Sequence, residues 1–131
     1  VIHIHTSTIY LIYMLGFTPG FAYLGGMSPR IATPRRETPR IRVPSGAVGI
    51  GANETGIYAA ESPGGWQLIG RTPVRLFEPH KQPPTLLQSG NYVTFTRISP
   101  QEFARISEEV ARGTYQLKQT PFAENDDNRD I

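Results

Sequence analysis

The sequence predicts a mainly β domain with one helix near its C-terminal end, and three observations support this fold class. The chain has 131 residues, of which 13 are glycine and 12 are proline, an excess that favours turns and short strands over a helical bundle. Short runs of β-branched and aromatic residues recur between the turns, as is typical of strands. One segment carries a complete set of helix start and stop signals. A closed or partly closed barrel would accommodate these short strands without exposed edges.

The predicted strands follow from composition and periodicity. The run STIYLIYML at 7–15 is rich in β-branched and aromatic residues and predicts a buried strand. The run NYVTFTRI at 91–98 alternates between two sets of side chains, as a strand does. Glycine and proline predict loops at 16–27 and 81–90 and a tight turn at 62–65. Further strands are predicted at 42–51 with a break at 44–46, at 55–60, at 66–70 and at 72–77.

The helix is predicted by its ends. Ser99 begins the segment SPQE, which matches a capping box with proline at the first helical position. An apolar stripe follows at i, i+3 and i+7, formed by Phe103, Ile106 and Val110. Gly113 is a natural stop.

The chain length and the distribution of charged residues predict one domain followed by a polar tail. We predict a single domain over residues 1–115, and a polar, acidic and disordered tail over 116–131. The chain begins at Val1 inside apparently structured sequence, which favours a piece of a longer protein. The net charge is only +2, but arginines crowd into residues 30–42. Such a local basic face suits an anionic ligand better than general binding of nucleic acid.

Several classes of site and location are disfavoured. The chain has no cysteine, which excludes disulfides and thiolate sites and is compatible with a cytoplasmic location. It has no apolar run long enough for a membrane span and no signal peptide. Neither a P-loop nor a GxGxxG motif occurs, so no nucleotide-binding site is predicted in this chain.

The basic segment SPRIATPRRETPRIRVPSG is the most distinctive part of the sequence. Proline recurs every five residues and keeps the segment extended or turning. One interpretation is a solvated, proline-stiffened loop, which we expect for at least half of its arginines. The alternative is that prolines preorganise one or two arginines to bind a carboxylate or phosphate. Arg35 and Arg40 are the better candidates, whereas Arg36 and Arg42 are predicted to face outward.

Two glycine-rich segments could line a pocket or pack into a core. In GFTPGF, at 16–21, glycine lets the backbone approach a ligand, although the two phenylalanines could equally fill a core. In SPGGWQLIGRTP, at 62–73, Trp66 is predicted to be a core anchor. Gln67 and Arg71 are polar residues in an otherwise apolar segment and could line a pocket.

Histidine and serine give weaker signals. His3 and His5 are spaced as a possible metal pair, but His80 is distant in sequence, so structural or surface roles are favoured and no metal site is predicted. Ser45 and Ser62 lie beside glycine without a nucleophile-elbow motif, so a serine nucleophile is disfavoured. No catalytic residue is identified.

Four motifs that follow one another in a fixed order point to one protein family. YMLGFTPGFAYLGGM, PRIATPRRETPRIRVPSGAVGI, TGIY and SPGGWQLIGRTPVRLF together resemble the family called allophanate hydrolase subunit 1. The same family includes the B-subunit of 5-oxoprolinase and the sporulation-kinase inhibitor KipI. The resemblance covers about residues 1–100. It implies a cyclophilin-like β-barrel that forms the C-terminal domain of a longer protein.

The resemblance also implies a function. It implies a subunit that does not act alone but forms part of an ATP-dependent amide or lactam hydrolase. The enzyme that we expect is 5-oxoprolinase, which converts 5-oxoproline to glutamate. The expected partners are a homologous larger subunit and a third subunit, with ATP and Mg bound by a partner and no cofactor in this chain. We infer that the motifs line one substrate groove. The candidate residues are Phe17, Pro19, Gly20, Phe21, Arg35, Arg40, Pro44, Ser45, Gly46, Thr55, Tyr58, Gln67 and Arg71.

Two departures from the family pattern bear on the site. The family often has VPAGSVGI where this chain has VPSGAVGI, which places serine at 45 instead of 47. It often has glutamine before TGIYP, where this chain has Glu54 and Ala59. A carboxylate near an anionic substrate would repel it unless paired. Glu54 is therefore expected to face away, to pair with an arginine, or to mark altered substrate use.

Two other functions remain as alternatives. A regulatory protein that inhibits a histidine kinase would need exposed apolar contacts such as Phe17, Phe21 or Tyr23, and would not need Arg40. A nucleic-acid binder is disfavoured, because the arginines are not interleaved with stacking aromatic residues. Membrane binding is not predicted.

Overall fold

The structure is a computed structural model that describes residues 1–15, 22–78, 80–81, 86–117 and 119, with Met14 and Leu15 described by their backbone alone. This part of the chain contains eight strands and three helical segments. The strands are β1 (Tyr10–Leu15), β2 (Ala22–Gly25), β3 (Arg40–Val43), β4 (Ala47–Gly51), β5 (Glu54–Ile57), β6 (Ser62–Gly64), β7 (Gln67–Arg71) and β8 (Tyr92–Val93). The helical segments are α1 (Ile2–Thr6), a 3₁₀ helix (Pro29–Ile31) and α2 (Pro100–Arg112).

Six strands form one antiparallel sheet in the order β7-β4-β5-β2-β1-β8. Strands β3 and β6 form a separate two-stranded ribbon. The fold is therefore mainly β, as predicted, with α2 as its one long helix among the described residues. Within that same part of the chain the two edge strands β7 and β8 do not pair, so the sheet is barrel-like without being closed.

The main core lies on one face of the six-stranded sheet, which we call the inner face. Alternate residues of each strand point to it. Tyr10, Ile12 and Leu24 are essentially inaccessible to solvent there. The opposite face of β1 is exposed, with Leu11 at 36% and Tyr13 at 44% exposure. The prediction of a buried strand is thus correct for only one face of β1.

Helix α1 is anchored on the inner face through His5, whose side chain is buried among aromatic rings. The ring of His5 lies 5.1 Å from that of Tyr10 and 4.8 Å from that of Phe95, measured between centroids. Its Nε2 lies 2.9 Å from Oγ1 of Thr55, which itself donates to the carbonyl of Gly49. Because the threonine proton is used on Gly49, Nε2 is the donor in its contact with Thr55. His5 is thus a structural residue, as expected.

Stability is expected to depend on pH through His5. Burial lowers the pKa of His5 below its usual value of 6.5, so the unfolded chain takes up this proton at a higher pH than the folded chain. The free energy of unfolding should be at its full value above pH 6.5 and fall as the pH drops toward the folded-state pKa. Denaturation with urea between about pH 5 and 7 measures this slope, since carboxylates titrate mostly below that range.

The variant His5→Leu should flatten the dependence of the unfolding free energy on pH. The control variant His3→Leu, at an exposed histidine, should show the same pH dependence as the parent. An equally steep slope in His5→Leu would show that another group is responsible.

Helix α2 begins and ends where the sequence predicts. The Ser99 hydroxyl accepts a hydrogen bond from the backbone N–H of Glu102, and Gly113 adopts the left-handed conformation (φ 76°) that ends the helix. Only half of the capping box forms, because the Glu102 carboxylate pairs with Arg105 instead of reaching back to Ser99. Ile106, in the middle of the predicted apolar stripe, is buried.

The tight turn predicted at residues 62–65 is in fact mostly strand. Ser62–Gly64 pairs with β3, with Gly64 opposite Arg40 and Ser62 opposite Val43. Proline and glycine predict a turn locally, but proline is also compatible with an edge strand, where its missing N–H is not needed. The sequence alone could not reveal this long-range partner.

Three other elements also differ from their predictions. Of residues 91–98, only Tyr92–Val93 pairs, and it pairs with β1. Residues 72–77 do not form a strand. Residues 22–25, predicted within a loop, form strand β2. The domain boundary near residue 115 stays a prediction, and the predicted tail lies almost entirely outside the described residues.

Candidate functional site

Trp66 occupies a slot on the outer face of the six-stranded sheet, and glycine forms the floor of that slot. Because side chains alternate, Gly49 and Gly51 of β4 share this face, while Val48 and Ile50 point to the inner face. A methyl group added at Gly51 would lie 2.6 Å from Cδ1 of the indole, and one at Gly49 would lie 3.2 Å from Cβ of Trp66. Glycine is therefore required for the ring to pack against β4, where Trp66 is 6% exposed.

Two tyrosines enclose the indole from the neighbouring strands. The ring of Tyr23 in β2 meets it edge-on at 5.9 Å, and that of Tyr58 just after β5 meets it edge-on at 6.5 Å. Edge-to-face contacts of this kind are favourable between aromatic rings. Gly64 of the β3–β6 ribbon makes room for the Tyr58 ring, because a methyl group there would lie 2.9 Å from two of its carbon atoms. Trp66 is thus the core anchor that the sequence predicts.

Both favoured arginines of the basic segment meet at this tryptophan. Cζ of Arg35 lies 5.9 Å from the centroid of the indole, a cation–π arrangement. Nη1 of Arg40 donates to the backbone carbonyl of Trp66 at 3.3 Å. Next to them, Nε2 of Gln67 donates to the carbonyl of Pro34 at 3.3 Å and holds the basic segment against β7. We call Tyr23, Arg35, Arg40, Tyr58, Trp66 and Gln67 the Trp66 cluster.

Two other arginines of the segment face outward, as predicted. Arg36 is exposed and donates to the carbonyl of Thr38. Arg42 is exposed and lies 3.5 Å from the Glu61 carboxylate. Within the described residues, neither Arg35 nor Arg40 has a carboxylate at ion-pair distance. These two therefore keep their positive charge available for a ligand.

The electrostatics of Tyr58 fit an anion-binding surface. Burial raises the pKa of Tyr58, while a hydrogen bond with the backbone of Trp66 and the charges of Arg35 and Arg40 act in the opposite direction. The phenol stays protonated at neutral pH and can donate a hydrogen bond. Two cations beside a phenol form a surface that can hold a carboxylate or phosphate.

Glu54 pairs with a tyrosine, and no arginine among the described residues lies at ion-pair distance from it. The hydroxyl of Tyr13 donates to the Glu54 carboxylate across the outer face of the sheet. Burial, followed by this hydrogen bond and the glutamate charge, raises the pKa of Tyr13 to about 12. The Tyr13 ring in turn lies 6.4 Å from that of Tyr23 in the Trp66 cluster. The carboxylate that departs from the family pattern is therefore capped by a neutral phenol.

The turn between β3 and β4 adjoins the Trp66 cluster, because the backbone N–H of Gly46 donates to the carbonyl of Tyr58 at 2.6 Å. The Ser45 hydroxyl donates to the carbonyl of Ala59 at 2.9 Å, and Nε of Arg71 donates to the carbonyl of Ser45 at 3.0 Å. Cζ of Arg71 lies 5.9 Å from the ring centroid of Phe103 in α2. Gly46 adopts φ 87° in this turn. Ser45 and Arg71 thus form a second group, next to α2.

The remaining candidate residues lie in the core, at the β3–β4 turn or outside the described residues. Thr55 is buried on the inner face with His5, on the opposite side of the sheet from Trp66. Pro44 is half-buried at the turn. Four candidates lie outside the described residues, so their roles stay predictions: Phe17, Pro19, Gly20 and Phe21. The other candidates lie near one another: Arg35, Arg40, Tyr58 and Gln67 surround Trp66, and Ser45, Gly46 and Arg71 lie at the adjoining turn. A single substrate groove stays a prediction.

Sequence reasoning does not place Tyr13 or Tyr23 in this row of aromatic rings. The kinase-inhibitor alternative expects Tyr23 as an exposed contact, but Tyr23 is half-buried against Trp66 and Tyr13. Strand alternation could have indicated the row, because Tyr13 and Tyr23 are both large residues beside buried neighbours.

Metal-binding clusters and membrane-spanning helices are absent from the described part of the chain. No three histidine, aspartate or glutamate side chains meet there in an arrangement that could hold a metal ion. No helix among the same residues is both long enough and apolar enough to cross a bilayer.

Comparisons with known proteins place the fold and the motifs in one family. Residues 1–87 match the family described as "Carboxyltransferase domain, subdomain C and D". The chain is 55% identical over 109 residues to the 5-oxoprolinase B-subunit of Bacillus subtilis, covering 83% of this chain and 45% of that protein. It is also 55% identical over 95 residues to the 5-oxoprolinase B-subunit of Haemophilus influenzae, covering 72% of this chain and 45% of that protein.

A solved structure agrees with these sequence matches. A conserved uncharacterized protein of Pyrococcus horikoshii superimposes with a TM-score of 0.75 at 58% identity, covering 78% of this chain and 47% of that one. The chain thus spans about half the length of these three proteins. With a family match over residues 1–87 and agreement in both sequence and fold, the chain belongs to the carboxyltransferase-domain family, subdomains C and D, together with the B-subunits of bacterial 5-oxoprolinases.

Proposed function

We propose that this chain is part of a subunit of an ATP-dependent lactam hydrolase, 5-oxoprolinase. The observation that carries the proposal is the 55% identity to two bacterial proteins named as 5-oxoprolinase B-subunits, over 83% and 72% of this chain. In the proposed reaction, 5-oxoproline, ATP and two water molecules give glutamate, ADP and phosphate. The amide bond of the lactam is broken, and ATP hydrolysis drives the opening of the ring.

The Trp66 cluster is the proposed binding surface for the substrate or an acyl-phosphate intermediate, both of which are anionic. Arg40 and Arg35 would bind a carboxylate or phosphate oxygen. The prolines of the basic segment restrict its unfolded conformations, so less entropy is lost when the arginines are held in place. The contacts of Arg35 and Arg40 with Trp66 support this role.

The proposed subunit does not act alone. We assign ATP and Mg binding to a partner, because the sequence has neither a P-loop nor another nucleotide motif. The proposed partners are a homologous larger subunit and a third subunit. This chain would then contribute anion binding and positioning of the substrate.

The first experiment measures ATP-dependent release of glutamate from 5-oxoproline. It uses the full-length parent protein with its two proposed partner subunits and a control that omits the parent protein. Release that depends on the parent protein is the expected result. No release from a folded, associated three-subunit complex would refute the 5-oxoprolinase assignment and direct attention to another amide substrate or to kinase regulation.

Within that assay, Arg40→Ala should lower kcat/KM by about 10- to 150-fold, because a hydrogen bond to a charged group contributes about 1.5–3 kcal/mol. The matched control is Arg42→Ala in the same strand, where the side chain is exposed and paired with Glu61. The control should stay within about twofold of the parent. Size-exclusion chromatography must show intact assembly for both variants. Equal activity of the two variants would remove Arg40 from the proposed site.

A further inference from the structure

A second polar surface shares no residue with the Trp66 cluster. A cleft of about 280 Å³ opens between helix α2 and residues 71–75. Two arginines, Arg71 and Arg75, and the side chain of Ser107 are among the residues that line it. A volume near the lower end of the usual range for small-molecule sites, about 300–1,000 Å³, favours a small ligand.

The positive charge of this cleft is not compensated by the part of the chain that the structure describes. No carboxylate there lies at ion-pair distance from Arg71 or Arg75. The glutamates of α2 pair with arginines of the same helix instead: Glu102 and Glu109 with Arg105, and Glu108 with Arg112. None of these glutamates lines the cleft.

One of the two arginines is already held in place. Nε of Arg71 donates to the Ser45 carbonyl at 3.0 Å, and its guanidinium lies over the Phe103 ring. Its two terminal nitrogens make no hydrogen bond to the described residues, so they remain available as a pair of parallel donors. The half-buried hydroxyl of Ser107 likewise has no hydrogen-bond partner there. A fixed guanidinium fork binds a planar or tetrahedral oxyanion with little further ordering.

We propose that this cleft binds a small anion, a carboxylate or a phosphate, between Arg71 and Arg75, with Ser107 as an additional donor. The site is independent of the substrate surface proposed at Trp66. It belongs to a different pair of elements, α2 and residues 71–75, and its function can be tested without knowing the reaction.

The test is a titration of the full-length parent protein with inorganic phosphate and, separately, with acetate, at an ionic strength held constant with chloride. Calorimetry or NMR gives the affinity for each probe, and the comparison distinguishes a phosphate site from a carboxylate site. Arg75→Gln should weaken binding of the preferred probe at least tenfold. Arg75 is exposed and makes no hydrogen bond, ion pair or ring contact with the described residues. Arg30→Gln, at an exposed arginine of the 3₁₀ helix, is the matched control and should bind like the parent.

Arg71→Gln provides a second variant and should weaken the same probe. Circular dichroism must first show that each variant is folded. The proposal is overturned if neither anion binds saturably to the parent protein. It is also overturned if Arg75→Gln and Arg71→Gln bind as tightly as Arg30→Gln, because binding would then involve arginines elsewhere.

Discussion

Gly46→Ala is expected to lower the free energy of unfolding by about 2–5 kcal/mol. Gly46 has φ 87°, a backbone conformation that is unfavourable by about 1–2 kcal/mol for other residues. The added methyl group would also meet the backbone carbonyl of Thr72, which cannot move freely because the Thr72 N–H donates to the Gly46 carbonyl at 2.8 Å. Overpacking of this kind costs about 1–3 kcal/mol. Urea denaturation followed by circular dichroism measures the change.

Two other glycines separate the causes of this loss. Gly90 has φ 92° but open space around it, so Gly90→Ala should show the conformational penalty alone. Gly70 has open space and no left-handed φ, so Gly70→Ala should be neutral or slightly stabilising. If Gly46→Ala destabilises the protein no more than Gly90→Ala does, the turn can move away from Thr72. The contact with the Thr72 carbonyl would then add nothing to the loss of stability.

Trp66→Ala is expected to have a similarly large effect, about 3–5 kcal/mol on the free energy of unfolding. The indole is 6% exposed and packs against Tyr23 and Tyr58, so its removal leaves a cavity on the outer face of the sheet. Arg35 would lose the ring beneath its guanidinium. Activity in the reconstituted assay should therefore fall even at temperatures where the variant remains folded.

Trp66→Phe and Ile41→Ala are the comparisons for this variant. Phenylalanine keeps an aromatic face and should recover much of the stability and activity. Ile41 is 88% exposed, so its truncation removes apolar surface without leaving a cavity and should change stability by less than about 0.5 kcal/mol. Similar losses for Trp66→Ala and Ile41→Ala would show that the slot collapses to fill the cavity.

The parts of the fold that the sequence predicts well are set by local chemistry. Ser99 and Gly113 mark the ends of α2, because a side-chain cap and a left-handed glycine act within a few residues. The break between β3 and β4 is likewise a local consequence of Pro44 and Gly46. Strand β6 has no such local signal, because Ser62–Gly64 owes its extended form to pairing with β3, about 20 residues earlier in the chain.

The candidate site is likewise predictable only where local sequence determines the position of a residue. Proline spacing and residue type indicate Arg35 and Arg40, and both contact Trp66. The position of Arg71 depends on how α2 packs, which no local pattern reports, so Arg71 lies beside Phe103 and not with the other two arginines. Thr55 is a candidate only through the resemblance of its TGIY motif, and strand alternation places its side chain with His5 in the core.

The position of Trp66 in its slot also makes this residue an intrinsic fluorescence probe of the candidate site. Trp66 is the only tryptophan in the chain, so all indole fluorescence originates beside Arg35 and Arg40. Light absorbed by Tyr23 or Tyr58, whose rings lie 5.9 and 6.5 Å away, is transferred to this one emitter. An anion that draws the Arg35 guanidinium away from the indole changes the field at the ring and therefore its emission. Occupancy of the candidate site can thus be followed without a label.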